Sequence, residues 1–224
     1  MATALAEGVF QLHCRGVNAY LLDDGAPTLI DAGSPWDVGL LRSELLDAGY
    51  HPGDIDRVLI THYDIDHVGG LARLSPALDA PVYASDPDRA YVAGLRTPPL
   101  STRKELFQRV VRPLLSVPSL PVRPISPGDR FDGIRAVRAP GHTPGHTVFV
   151  AESLSAVVFG DALRGKRGRL RQMYRPLTQS PPRARKSIRE LADELPAFEI
   201  ACVGHGDPLP SGGDRALREL ADEL

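Results

Sequence analysis

The stretch THYDIDH at 61–67 constrains this chain more than any other. His62, Asp64, Asp66 and His67 place four ionisable side chains within six consecutive residues, directly behind the apolar run Val58-Leu59-Ile60. A run of that kind goes into a core, and ionisable groups carried in with it are costly unless they reach solvent or are compensated. Other segments repeat the arrangement. His142 follows IRAVRAPG, His205 follows IACVG, and Asp161 ends AVVFGD. Segments remote in sequence thus each deliver a potential ligand at the trailing end of an apolar strand. Strands that share sheets bring such ends to one edge, where loops build sites on a rigid scaffold. Imidazole nitrogen and carboxylate oxygen are ligands for zinc, iron or manganese, and a cation there would compensate the carboxylates. The competing reading, capping aspartates and surface histidines with no common purpose, accounts for single positions but poorly for the set.

Short apolar runs alternate with helical patterns along the rest of the chain. Residues 8–14, 18–23 and 28–31 read as strands, and Ser34-Pro35 opens a helix whose apolar face is Val38, Leu41, Leu45 and Ala48, with Gly49 stopping it. Strand 56–61 follows, then a helix over 66–74 and strand 81–84. Thr102 and Glu105 form a capping box for a helix to Leu115, with Leu106, Val110 and Leu114 in phase. Strands recur at 134–138, 147–151, 156–160 and 199–203, Ser180-Pro181 starts a further helix, and Asp214 caps the last. Strands in both halves, each half closing with helices, predict an α/β architecture of two sheets packed face to face with helices outside. The heptapeptide RELADEL occurs at 189–195 and again at 218–224, and two outer helices with a Leu/Ala stripe converge on such a sequence without duplication.

In this setting the motifs resemble those of the metallo-β-lactamase-fold hydrolases, including glyoxalase II-like thioesterases and acyl-homoserine lactonases. LIDAG at 29–33, THYDIDHVGG at 61–70, PGHTPGH at 140–146, FGDAL at 159–163 and GHG at 204–206 are similar to the family's motifs, in its order and over nearly the whole chain. The resemblance implies an αβ/βα four-layer sandwich of two facing mixed sheets. It also implies one domain over 1–224, with a helical, Pro-rich insert around 95–125. Carried over residue by residue, His62 and His142 bind a first metal; Asp66, His67 and His205 bind a second; and Asp161 bridges the two. Asp64 is a departure, because most of the family reads H-x-H-x-D-H and this chain reads H-x-D-x-D-H. Flavo-diiron proteins of the same fold carry Glu at that place as an iron ligand, so an acidic residue there is compatible with a site. Asp64 is expected to ligate the first metal, because the other positions of a two-metal centre are all present, and its harder donor then shifts preference from zinc toward iron or manganese; if it does not ligate, the first site is weakened and one tight metal does the work.

Two divalent ions, zinc first, about 3.5–4 Å apart would activate a water for attack on an ester, thioester or lactone. Asp66 is the candidate for orienting that water or carrying a proton. Asp31 and His146 are expected to hydrogen-bond behind the ligands. His13 and His51 read as structural or solvated, and Trp36 and Tyr50 as packing residues. Arg164 and Tyr174 are candidate substrate contacts, in a basic stretch over 164–175; no acidic residue occurs from 162 through 189. That stretch reads either as a mobile cationic loop or as a rim attracting an anionic small molecule. Arg164 stands where the lactonases tend to carry Tyr, which counts against a lactonase of that type. A phosphodiesterase and a non-catalytic metal-binding protein are the alternative functions. Net charge of −2 gives no global field toward nucleic acid or membrane, and no apolar stretch reaches the roughly 18 residues of a membrane helix. With no secretory signal apparent and two cysteines read as buried free thiols, the expected location is cytoplasmic. The 95–125 segment is expected to form a wall of the pocket or a homodimer contact.

Overall fold

The computed structural model describes residues 1–224. The first sheet holds β1 (Thr3–Ala6), β2 (Val9–His13), β3 (Asn18–Leu22), β4 (Thr28–Ile30), β5 (Arg57–Leu59), β6 (Val82–Ser85) and β7 (Val122–Ile125), side by side in chain order. Its first four strands are antiparallel, and β4 to β7 run parallel. The second sheet contains β8 (Arg130–Phe131), β9 (Ile134–Arg138), β10 (Thr147–Ala151), β11 (Ala156–Lys166) and β12 (Arg169–Gln172), with β13 (Ile200–His205) paired parallel to β11. Helices α1 (Val38–Asp47), α2 (Ile65–Val68), α3 (Leu71–Leu74), α4 (Asp88–Val92) and α5 (Arg103–Val111) belong to the first half, α6 (Pro181–Glu194) and α7 (Gly213–Asp222) to the second.

Alternation along the strands sorts side chains into three apolar layers. On β3, Tyr20 and Leu22 point between the sheets while Ala19 and Leu21 point toward the helices of the first half; on β10, Phe149 and Ala151 face inward and Val148 and Val150 face α6 and α7. Both strands are therefore buried at every position. The result is helix, sheet, sheet, helix, the four-layer sandwich expected from the strand pattern. Both RELADEL copies fall at the ends of α6 and α7, whose Leu191, Ala192 and Leu220 share the outer core of the second sheet.

Several elements differ from expectation for identifiable reasons. The first helix starts at Val38, because Ser34 binds the Asp37 carboxylate through its N–H (2.9 Å) and hydroxyl (2.5 Å), closing a turn first. Trp36 is exposed instead of packed, whereas Tyr50 lies edge-on to Phe10 and donates to Asp23. The helix read over 66–74 is two short helices, since the Gly70 N–H donates to the Gly33 carbonyl and leaves the helical ladder. Asp214 sits inside the first turn of α7, after Gly212 at the cap. The basic stretch is no loose loop: β11 runs on to Lys166 and turns at Arg167-Gly168, both at positive φ, into β12. The helix at 103–111 is inverted. Lys104, Glu105 and Gln108 are buried, while Leu106, Phe107 and Val110 are exposed. No helix is long and apolar enough to cross a membrane.

Phe149 fills the centre of the inter-sheet layer and is fully buried. Phe149→Ala is expected to destabilise the protein by about 3–5 kcal/mol through the cavity it leaves, read as a lower denaturant midpoint.

Candidate metal centre

The strand ends of both sheets meet at one edge of the sandwich. Asp31 follows β4 with φ +64, a left-handed conformation that Asp tolerates better than most residues. From there its carboxylate accepts the Thr61 N–H (2.8 Å) and the Thr61 hydroxyl (2.7 Å), fixing the loop that leaves β5. It also accepts the His67 Nδ1–H at 2.7 Å. Since the Thr61 hydroxyl proton goes to Asp31, Thr61 Oγ1 accepts from His62 Nδ1 at 2.8 Å. His205 Nδ1 donates to the Gly16 carbonyl at 2.7 Å. Each of these three rings is thus held through Nδ1, and each turns Nε2 to the centre, the arrangement that orients metal-binding imidazoles.

Asp161 reaches the centre because β11 bulges there. Gly160 takes φ +49, and a Cβ on it would lie 2.8–3.0 Å from the Thr61 side chain, so glycine is needed on both counts. The Asp161 backbone N–H donates to His146 Nε2 (3.1 Å). Gly204 leaves the remaining space: a Cβ there would stand 2.2 Å from Asp161 Oδ1 and 2.8 Å from His67 Cε1.

Around Asp161 the side chains form two donor sets. His62, Asp64 and His142 make the first, with Asp161 Oδ2 at 3.9 Å from His62 Nε2 and 3.3 Å from His142 Nε2. Asp66, His67 and His205 make the second: His205 Nε2 lies 3.3 Å from Asp66 and 3.4 Å from Asp161, and His67 Nε2 lies 3.3 Å from Asp161 Oδ1. All seven residues singled out in the sequence as ligands are therefore gathered here. His67 Nε2 and Asp161 Oδ1, on the second set, are buried without a hydrogen-bond partner, as are His62 Nε2 and Asp64 Oδ1 on the first. Two imidazoles and two carboxylates with such unanswered atoms fit a divalent cation.

The electrostatics match. Burial disfavours the charged form of Asp161, but His67, His142 and His205 outweigh it and hold the carboxyl well below its usual range. Burial likewise opposes ionisation of Asp66, yet His205 and His67 hold its pKa down. Acting against burial, Asp161 and Asp66 raise His205 to about 10, and Asp161 and Asp31 raise His67 well above the ordinary histidine value. A cation entering the second set displaces those protons, so uptake is coupled to proton release.

The first set differs. Lys104, from α5, puts Nζ 2.7 Å from Asp64 Oδ2 and 2.6 Å from His142 Nε2, with the residue only 3% exposed. Burial, then the Lys104 charge, pushes His142 down to about 4. Sequence reading did not find Lys104. The capping box that starts its helix was legible, but not which face turns inward. Asp88 was also missed. It is buried behind the centre and accepts from Gly145 N (2.8 Å) and Tyr63 N (3.3 Å), joining the two ligand loops. Of the candidate substrate residues, Arg164 stands beside His205 in the sheet register, with its guanidinium 4.1 Å over the Tyr174 ring.

The sequence profile of the metallo-beta-lactamase superfamily matches residues 13–205, and the chain belongs to that superfamily. Among its relatives, "Probable metallo-hydrolase YflN" of Bacillus subtilis (strain 168) is 27% identical, over 98% of this chain and 92% of that protein. Hydroxyacylglutathione hydrolase of Ruegeria pomeroyi is 29% identical, over 84% of this chain and 61% of its own length. The structure of TTHA1623 in a di-iron-bound form superposes with a TM-score of 0.69 at 30% identity, covering 93% of this chain and 95% of that one.

Gly204→Ala is expected to push Asp161 and His67 apart and to lower bound metal per folded chain. Elemental analysis alongside circular dichroism checks this, and full metal content in a folded variant would contradict it.

Proposed function

We propose that this member of the superfamily is a metal-dependent hydrolase that cleaves an ester, thioester or lactone in an anionic small molecule. The observation that carries the reading is the second donor set, with the Nε2 atoms of His67 and His205 and the carboxylates of Asp66 and Asp161 turned to one point. His67, His205, Asp66 and Asp161 would hold a divalent ion, which would supply a water acidified toward neutrality as the nucleophile. Zinc, iron and manganese all accept these donors. Asp31 and the Gly16 carbonyl keep the two rings in the tautomer that offers Nε2.

Asp66 is the more accessible carboxylate, its side chain 37% exposed against 4% for Asp161. Held ionised by its neighbours, it can take a proton from the attacking water and return it to the leaving group. His146 steadies Asp161 through the backbone. The hairpin next to His205 supplies the attraction for an anion. Arg164, Lys166, Arg167, Arg169 and Arg171 line an open depression of about 440 Å³. The relative named hydroxyacylglutathione hydrolase supports the thioester among the three bonds, since an acyl-glutathione is a thioester carrying carboxylates.

Stripping the metal with a chelator is expected to abolish turnover, and zinc, manganese or ferrous iron to restore it. Asp66→Asn is expected to lower kcat by about 10²–10⁴-fold. A panel of esters, acyl-thioesters, lactones and phosphodiesters ranks the bond. Cleavage confined to phosphodiesters and falling steeply with salt would replace this reading by a phosphodiesterase, and metal uptake with no turnover would make the protein a binder.

A further inference from the structure

We infer that Lys104 is the resident cation of the first donor set, so that the chain takes one metal ion, in the second set, instead of two. This rests on the metal-centre reading above and concerns only how many ions the centre accepts.

The inference follows from where Nζ lies. It is 2.6 Å from His142 Nε2 and 2.7 Å from Asp64 Oδ2, and these two atoms are themselves 3.0 Å apart. A metal on the same imidazole nitrogen would sit about 2.0–2.1 Å from it, in the space and on the lone pair that the ammonium uses. Nor would a divalent ion share so small a space with a second positive charge. Charge balance agrees. Position 64 is a carboxylate only 6% exposed, and a buried carboxylate calls for a cation. Lys104 answers the Asp64 charge at Oδ2, and Asp64 Oδ1 and His62 Nε2 are left buried without a hydrogen-bond partner.

The helix that carries Lys104 is built to hold it there. Glu105, at the third helical position, closes a capping box with Thr102 and accepts Gln179 Nε2 through its other oxygen at 2.7 Å. Gln108 Oε1 accepts the Ile65 N–H at 3.3 Å, next to Asp64. These contacts turn the polar face of α5 to the site and leave Leu106, Phe107 and Val110 in solvent, an exposure the helix accepts in order to deliver Lys104. The choice of residue also fits. Lysine is one of three in a chain otherwise supplied with arginine, and a compact ammonium fits an ion-sized position where a planar guanidinium does not.

The test is metal content of the full chain after loading with excess zinc or manganese and desalting, with electron paramagnetic resonance of the manganese form. Wild type is expected to hold one ion per chain and give the spectrum of an isolated ion. Lys104→Ala is expected to hold two and give the spectrum of a coupled pair. If Lys104→Ala fails to fold because Asp64 is left uncompensated, the double variant Lys104→Ala/Asp64→His removes both charges and is expected to hold two. Two tightly held ions in wild type, or one in a folded variant lacking Lys104, would overturn the inference. Wild type that takes up no ion would overturn it together with the metal-centre reading. One ion without turnover would leave it standing and remove only the proposed hydrolysis.

Discussion

Asp161 is the group around which the rest of this molecule is arranged. Its carboxylate lies almost fully buried among the Nε2 atoms of His62, His67, His142 and His205, all within 3.3–3.9 Å. A carboxylate so far from water is sustainable only if positive charge or hydrogen-bond donors meet it from several sides. No single segment could provide them. The fold instead brings loops from both sheets to one edge, bends β11 at Gly160 to aim the side chain, and leaves glycine at 204 to make room.

For such a centre to persist, the two sheets must not slide over one another. Apolar packing between them is non-directional, so register comes from hydrogen bonds that cross the interface. Tyr20 Oη donates to the Val203 carbonyl at 2.8 Å and accepts its N–H at 3.0 Å, and Asn18 Nδ2 donates to the Val203 and Gly206 carbonyls. These contacts bracket His205, whose ring is tied to Gly16 of the first half. Asp31 does the equivalent work within the first sheet. The ligands are thus placed by a connected polar network whose members fix one another, which is why a buried site of this polarity can be specific in geometry.

The first donor set shows how one buried charge shapes its surroundings. Asp64 brings a buried anion into the set, and an ammonium reaching in from α5 answers it. Glu105 and Gln108 are buried polar partners, Gln179 is half-buried against Glu105, and the apolar side of the helix is what faces solvent. Helical periodicity is the same for either orientation. Only the partners available inside decide which stripe turns in.

The sequence by itself determined the strand pattern, because alternation and apolar runs record burial locally: β9 and β10 fall at the positions read for them. It also made His62, His142, Asp161 and His205 stand out, because a histidine or aspartate closing an apolar strand is conspicuous wherever it lies, whereas Asp64, Asp66 and His67 were marked as ligand candidates by the resemblance of their motif. Tertiary structure alone decided the hairpin at 164–172, whose Arg-Gly turn gives little local signal, and the roles of Asp88 and Lys104. Those two residues act through groups dozens of positions away, such as Gly145, Asp64 and His142. A lysine at the second position of a helix reads as solvated until the fold shows a buried carboxylate and an imidazole waiting opposite it, since compensation of charge depends on distance in space and leaves no trace in spacing along the chain.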